Sequence, residues 1–502
     1  MLSQSFVWQL MLAFKKFFAG YKHSVVYYAL QKVVAFISAS FRTSIIRNYV
    51  VSEKGMQNFY ASSLFYRAMQ AVFAVFSRCL GSMLRIFEKY AKGGFVHRVM
   101  VFAGAKFTYI CGAFFVLMLI LPHELWNNIY AVAAAFLLFG ACLIKFSTDS
   151  AKKPAFASLP LSLVVFSISI LSAVLISPAL FDSIRTALFF IAGLLFMLIV
   201  WAGVDDEKSL KVTVTALIAG LFIMCLYAMV QKVIGVEVDP LLTDVITNEG
   251  MPGRVYATVG NPNNFAEIIV LIVPFVYALF FSSDTPKKKW GFAAVLLACV
   301  AALAMSYSRS GYVAFAISTV VFILIYDWRL ILPVICIGIL CIPMIPETVI
   351  NRIFTIGSLE DTSNAYRIYL WDGTIKMAKD YFLSGIGIGT EAFAAVYPNY
   401  ASNLAAKAPH SHMLYMELLV ELGIVGITSF LVYMASMFRK GFAVVKKTNK
   451  TLQCMIAASI SAFCGISFSA CVEYIWFYPR VMFVFWIVAG ILLCSVKLAK
   501  RK

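Results

Sequence analysis

From residue 99 to its end the chain alternates long apolar runs with short polar breaks. An apolar run of about twenty residues matches the thickness of the bilayer hydrocarbon, and it must be helical, because an unpaired backbone amide finds no water there. The pattern predicts about twelve such spans. They fall near 99–121, 128–146, 157–178, 184–204, 211–231, 265–282, 290–307, 311–326, 330–346, 413–437, 451–472 and 480–498. Within the spans charge is sparse, with Lys106 the one that stands out. The expected fold is all-α, a polytopic membrane protein.

Two stretches break this rhythm. The first is the polar excursion 347–412, which ends in PHSH just before the apolar run MLYMELLVELGIVG. Inside it, AYRIYLWDGTIKMAKDYF places Tyr366, Tyr369, Leu370 and Ile375 among Asp372, Lys376, Lys379 and Asp380, the mixture of an amphipathic helix lying at the membrane surface. Thr362 and Ser363 are positioned to cap that helix. The second is residues 1–98, where runs such as AMQAVFAVFSRCLGSMLRIFEKY mix apolar and basic residues at helical spacing. That segment reads as a basic arm of interfacial helices, and residues 99–502 as the membrane domain.

Composition and charge sharpen this picture. The chain has 502 residues, 62% of them hydrophobic and 13% charged, with a mean hydropathy of +0.87. Residues 1–98 hold thirteen Lys and Arg against Glu53 and Glu88, so +11 of the formal +18 belongs to the arm. Anionic membrane lipids are the expected partner of such a surface; the large apolar faces argue against nucleic acid. Residues 1–30 have no uninterrupted apolar core with a cleavage site, so no cleavable signal peptide is expected. Ten of the eleven cysteines lie in apolar runs, Cys79 lies in the basic segment, and no C-x-x-C pair occurs, which speaks against a disulfide framework or a zinc site.

Basic residues also orient the spans. Lys152 and Lys153, Lys208 and Lys211, Lys287 to Lys289, Arg329, the Arg439–Lys450 group and the KLAKRK tail all fall on one side when the spans alternate, which makes that side, with both termini, cytoplasmic. The segments GMPGRVYATVGNPNN, SYSRSG, 347–412 and EYIWFYPR then open externally. Arg254, Arg309 and Arg367 lie in or beside them, close to helix ends, where a cation needs a partner or a function. Asp205, Asp206 and Glu207 fall on the opposite side and read as solvated loop charges. Glu237, Asp239, Asp244 and Glu249 are external but scattered, and no metal site is expected among them. The glycines of GIGIGT (385–390) read as close packing rather than a phosphate loop, since the lysine of such a loop is missing.

These external segments carry a resemblance. GRVYATVGNPNNFAEIIV resembles the R...T.GNPN..A motif of the O-antigen ligase and polymerase superfamily, and SYSRSGYVAF resembles its S.SR.G helix start. YRIYLWDGTIKMAKDYFLSGIGIGTEAF and HSHMLYMELLVELGIVG resemble its R...W......D....G.G.G and H.H......E.G..G signatures, in the family's order. Met413 stands where an asparagine is common and Phe382 where a proline is usual.

The resemblance implies transfer of a glycan from an undecaprenyl-pyrophosphate-type lipid to an acceptor hydroxyl at the external face of the bacterial cytoplasmic (inner) membrane. A sugar pyrophosphate carries its own leaving group, so the chemistry asks for cations on the phosphates and a base for the hydroxyl, with no cofactor or metal and with inversion at the anomeric carbon. His412 aligns with the motif histidine and is the candidate base, because imidazole exchanges protons near neutral pH. Arg254 and Arg309 are the candidate phosphate-stabilising residues, since guanidinium forks match phosphate oxygens. Arg367, His410, Asn261, Asn263 and Trp371 are assigned to substrate binding. The acceptor, whether a glycan, a lipid or a protein hydroxyl, stays open at this point, and a transporter or flippase is the alternative class.

Overall fold

The computed structural model describes residues 64–90, 92–148, 159–238, 252–357, 362–402 and 405–501, and before them Tyr28, Gln31, Lys32 and Ala35. Among these the secondary structure is helical throughout, with no strand. The first helices are α1 (Leu64–Tyr90), α2 (Phe95–Ala105), α3 (Phe107–Ile120), α4 (Asn128–Thr148), α5 (Leu161–Ile176), α6 (Leu180–Gly203) and α7 (Glu207–Ile234). Then follow α8 (Pro262–Ser282), α9 (Pro286–Ser306), α10 (Arg309–Asp327) and α11 (Ile331–Cys341). The excursion forms α12 (Glu347–Phe354), α13 (Thr362–Asp380) and α14 (Thr390–Val396), and the chain closes with α15 (Leu414–Val444), α16 (Lys450–Ser469) and α17 (Pro479–Lys500). Two compact units result, residues 57–322 with 346–502, and residues 1–56 with 323–345. The larger unit holds every residue assigned to the site.

Nine of the described helices are long and apolar enough to cross a membrane, ten if the bent pair α2 and α3 is one span. The expected count of about twelve differs from this at identifiable places. The run 99–121 bends by 82° between α2 and α3, and the break falls at Lys106, which the bend leaves exposed instead of mid-span. Helix α5 has 16 residues, short for a span. The two spans expected at 311–326 and 330–346 form one apolar stretch, Arg309–Met344, interrupted only by tight helical turns. Tyr307 and Arg309 nevertheless bond to Thr348, Arg352 and Thr355, so the chain comes back to the end it left.

In the larger unit α17 is enclosed nearly all round, as befits a helix that is apolar on every face. It packs on α6, α16 and α15, and α8 packs along α16. Close approach is set by a small residue: a Cβ on Gly193 of α6 would stand 2.5 Å from the Trp486 ring. The bundle has two chemically different ends. At one, Lys145 on α4 pairs with Asp205 at 2.8 Å, and Lys497 on α17 donates to the Val204 carbonyl at 2.7 Å. Asp205 is thus a largely buried ion-pair partner and not the solvated charge expected, because the ends of α4, α6 and α17 close over it. Asp206 caps α7 by accepting from the Ser209 amide at 2.8 Å.

The arm and the excursion both depart from expectation. Most of residues 1–63 lie outside the described residues. The last part of the arm, α1, packs against α4 and α2, and α2 runs through the expected boundary at 98–99. The excursion is three helices with a core of its own: α13 buries Leu370, Met377 and Ala378 against Phe393, Tyr397 and Val420, while Tyr369 and Ile375 stay exposed. Its buried face is therefore turned inward, not presented with Tyr369 and Ile375 as one apolar stripe. GIGIGT does provide close packing. Ile386 and Gly387 donate to the carbonyls of Val420 and Glu421 beside the kink of α15 at Gly423, and a Cβ on Gly385 would stand 2.4 Å from the Glu421 carbonyl.

Candidate active site

The other end of the bundle gathers the starts of α8, α10, α15 and α17 and the excursion around a cavity of about 800 Å³. All eight residues assigned to the site line it: Arg254, Asn261 and Asn263, Arg309, Arg367 and Trp371, and His410 with His412. Its size is that of a ligand site rather than a packing defect.

The GNPN segment builds one wall through a helix start. Asn261 caps α8, its side-chain oxygen accepting from the amides of Asn263 at 2.8 Å and Asn264 at 3.4 Å, with Pro262 at the first helical position. That oxygen is thereby committed to the fold. Gly260 precedes it at φ +74, and a Cβ there would stand 2.8 Å from the His123 ring. Arg254, buried, donates from Nε to the Ser306 carbonyl at 2.9 Å and from Nη2 to Asn263 Oδ1 at 2.6 Å. Burial, and after it the Arg352 charge, pulls its guanidinium down to about 9, an environment that a bound anion relieves.

Glu473, between α16 and α17, is the hub. Its Oε1 accepts from Arg367 Nη2 at 2.6 Å and from Asn263 Nδ2 at 3.0 Å, and its Oε2 lies 3.8 Å from His412 Nδ1. Burial alone would raise this carboxyl; the Arg367 guanidinium, followed by His412, outweighs it and holds the group down at about 2. Glu473 is thereby favoured as the anionic partner of Arg367, and it ties Arg254, through Asn263, to Arg367 and the histidines. The 3.8 Å separation is too long for a hydrogen bond, and His412 Nδ1 has no other partner. A movement of about 1 Å closes it.

The PHSH turn is held from several sides. His412 adopts φ +55, the left-handed region that a non-glycine residue enters only under constraint. The Ser411 amide donates to Glu417 Oε2 at 2.6 Å, the Ser411 carbonyl accepts from Trp371 Nε1 at 3.0 Å, and the His412 amide donates to His410 Nδ1 at 3.1 Å. His410 thus carries no proton on Nδ1. Burial, and next the His412 charge, pushes it down to about 3, so it serves as a neutral acceptor that fixes the backbone of its neighbour. Trp371 likewise spends its one polar atom on the turn, leaving only its ring to face the cavity.

Arg309 opens α10 and reaches the excursion, donating to the Thr355 carbonyl at 3.0 Å and Asn364 Oδ1 at 3.3 Å. Three lining residues were not anticipated. Arg352 is buried and donates to the Tyr307 carbonyl at 3.3 Å, which brings the arginines of the cavity to four, with Arg254, Arg309 and Arg367. Glu473 stood in EYIWFYPR as a lone acid between two spans, the signal that should have marked it. Glu267, inside the apolar run of α8, was visible in the same way. Among the described residues no group of three or more His, Cys, Asp or Glu is arranged to hold a metal ion.

Fold and cavity together define a multi-pass membrane protein with a polar, arginine-lined chamber at one end of its helix bundle. Residues 268–431 match the family model described as O-antigen ligase, so about a third of this multi-pass membrane protein is similar to that family. The matched stretch contains Arg309, Arg352, Arg367 and both histidines of the turn, whereas Arg254, Asn261, Asn263 and Glu473 lie outside it. No curated protein is significantly similar to the chain.

Proposed function

We propose that the cavity transfers a glycan from an undecaprenyl-pyrophosphate-type lipid to an acceptor hydroxyl at the external face of the bacterial cytoplasmic membrane. Arg254, Arg309, Arg352 and Arg367 bind the pyrophosphate and stabilise the charge it gains as the bond from the anomeric carbon to the phosphate oxygen breaks. His412 takes the proton of the hydroxyl that attacks that carbon from the opposite side, which inverts it. Glu473 orients the His412 ring by accepting from Nδ1, leaving Nε2 for the acceptor, and stabilises the imidazolium that forms. His410, Trp371, Asn261 and Asn263 hold the turn and the helix start that position these groups. His412 supplies the base, Glu473 the carboxylate and the arginines the cations, so no step of the proposed transfer calls on a metal.

One observation carries the reading. Four arginines and a histidine beside a buried carboxylate converge on a single cavity, and a polyanion with a hydroxyl partner is the ligand that satisfies them together. The test is transfer by the full-length protein, purified in nanodiscs, from lipid-linked glycan to acceptor membranes with a chelator present. Released lipid pyrophosphate matched by modified acceptor is expected. Absence of transfer by folded protein, or its abolition by the chelator, overturns the reading.

A further inference from the structure

The cavity holds one acid that the proposed chemistry leaves unused. Glu267 lines it from α8, one turn below Asn263 and Asn264, and is 2% exposed. Its Oε2 has no hydrogen-bond partner, and its charged neighbour is Glu473, of the same sign. Buried carboxyls in native proteins are bonded, and an ionisable side chain within a span persists where it has a partner or a task. The nearby cations are engaged elsewhere: Arg367 is on Glu473, and Arg254 is on Ser306 and Asn263. Among the described residues Glu267 Oε2 meets no donor, and the cavity that the residue lines is where a ligand can supply one.

We infer that Glu267 is a saccharide-recognition residue, accepting a hydrogen bond from a sugar hydroxyl or acetamido N–H of the transferred glycan or of its acceptor. This rests on the lipid-linked glycan reading. A sugar hydroxyl or acetamido group, which both donates and accepts, matches the carboxyl whether or not it carries a proton, whereas a phosphate meets it only in the protonated form. Asn263, one turn above, touches Arg254 and Glu473, so the phosphate region lies about 6 Å away along the helix, a separation that one sugar ring bridges. The residue also sets specificity: a site built to pair a sugar O–H or N–H discriminates strongly against an analogue that lacks it.

The test compares Glu267→Leu and Glu267→Gln with the parent protein in nanodiscs. The probes are undecaprenyl pyrophosphate and the lipid-linked glycans extracted from cells lacking the protein, with membranes of those cells as acceptor. For Glu267→Leu, binding of bare undecaprenyl pyrophosphate is expected to be unchanged, while binding of the glycan-bearing lipid weakens roughly tenfold, as for a lost buried hydrogen bond. If the contact is instead to the acceptor, both donors bind as before and the acceptor KM rises by that factor. Glu267→Gln keeps an acceptor oxygen and recovers most of the loss. The unfolding midpoint of empty Glu267→Leu stays or rises, because the leucine removes an unpaired buried carboxyl. Unchanged donor binding with unchanged acceptor KM overturns the assignment, as does equal weakening of both lipids or a lowered unfolding midpoint. A parent protein that binds neither lipid removes the functional reading itself, and this inference with it.

Discussion

The two ends of the bundle use charge in opposite ways. At the basic end, Lys145 and Lys497 close on Asp205, and Asn449 donates to Glu207 at 2.8 Å, so these helix ends are tied shut. At the cavity end, Glu473 answers Arg367, and the remaining guanidinium groups of Arg254, Arg309 and Arg352 donate to carbonyls, a hydroxyl or amide oxygens around an open chamber. One end is an ion-paired closure; the other gathers four guanidinium groups on a chamber open to a ligand.

Replacing His412 breaks this comparison most sharply. His412→Ala is expected to lower turnover by roughly 10²- to 10⁴-fold, the span for a lost general base, while binding of the lipid pyrophosphate is retained. Turnover and donor binding measured on the same nanodisc preparation check it, and near-normal turnover removes His412 from the chemistry.

Next comes Glu473→Gln, which leaves the Arg367 charge uncompensated and the His412 ring without its anion. Breaking one side of a buried pair costs about 3–5 kcal/mol. A lowered unfolding midpoint together with a turnover loss approaching that of His412→Ala is expected. A loss of stability with full turnover would make Glu473 a purely structural group.

Smaller again is the arginine series. Arg254→Ala and Arg309→Ala weaken donor binding as well as turnover, since phosphate charge is present before and during transfer. Arg309→Lys recovers part of the roughly tenfold or greater loss, because an ammonium keeps the charge without the two-point fork. Donor affinity is the deciding measurement, and full recovery by lysine would argue against a bidentate contact.

The basic end supplies the control. Asp205→Asn leaves Lys145 and Lys497 facing each other without their carboxylate and is expected to cost about 1–3 kcal/mol of stability, with turnover per folded molecule unchanged. An equal loss of turnover would mean that the two ends are coupled.

Much of this organisation was legible in the chain. The apolar runs predicted an all-α membrane protein, and GNPN, SRSG, YRIYLWDG and PHSH marked residues that the fold brings to one cavity. Partnership was not legible. Glu473 is separated from Asn263 by 210 positions and from Arg367 by 106, and no spacing rule connects them. Arg352 lay within the excursion, but its approach to Tyr307 depends on the return of the chain after α11. Asp205 read as solvated because a short polar loop ordinarily is; three helix ends closing over it made it an ion-pair centre. The count of spans failed where length alone is ambiguous, at the bend beside Lys106 and in the 16-residue helix α5.

In the proposed orientation the arginine-lined chamber faces the outside and holds the lipid-linked donor while the basic end faces the cytoplasm. That orientation is tested most directly by an impermeant thiol reagent on intact cells, with the native cysteines replaced and a single cysteine introduced by Ser363→Cys, which lines the chamber, or by Lys288→Cys at the opposite end. The Ser363→Cys protein is expected to be labelled from outside and protected when lipid-linked glycan accumulates, whereas the Lys288→Cys protein is labelled only after the membrane is opened. Labelling of Lys288→Cys from outside, or of Ser363→Cys only from within and without protection, would contradict that orientation.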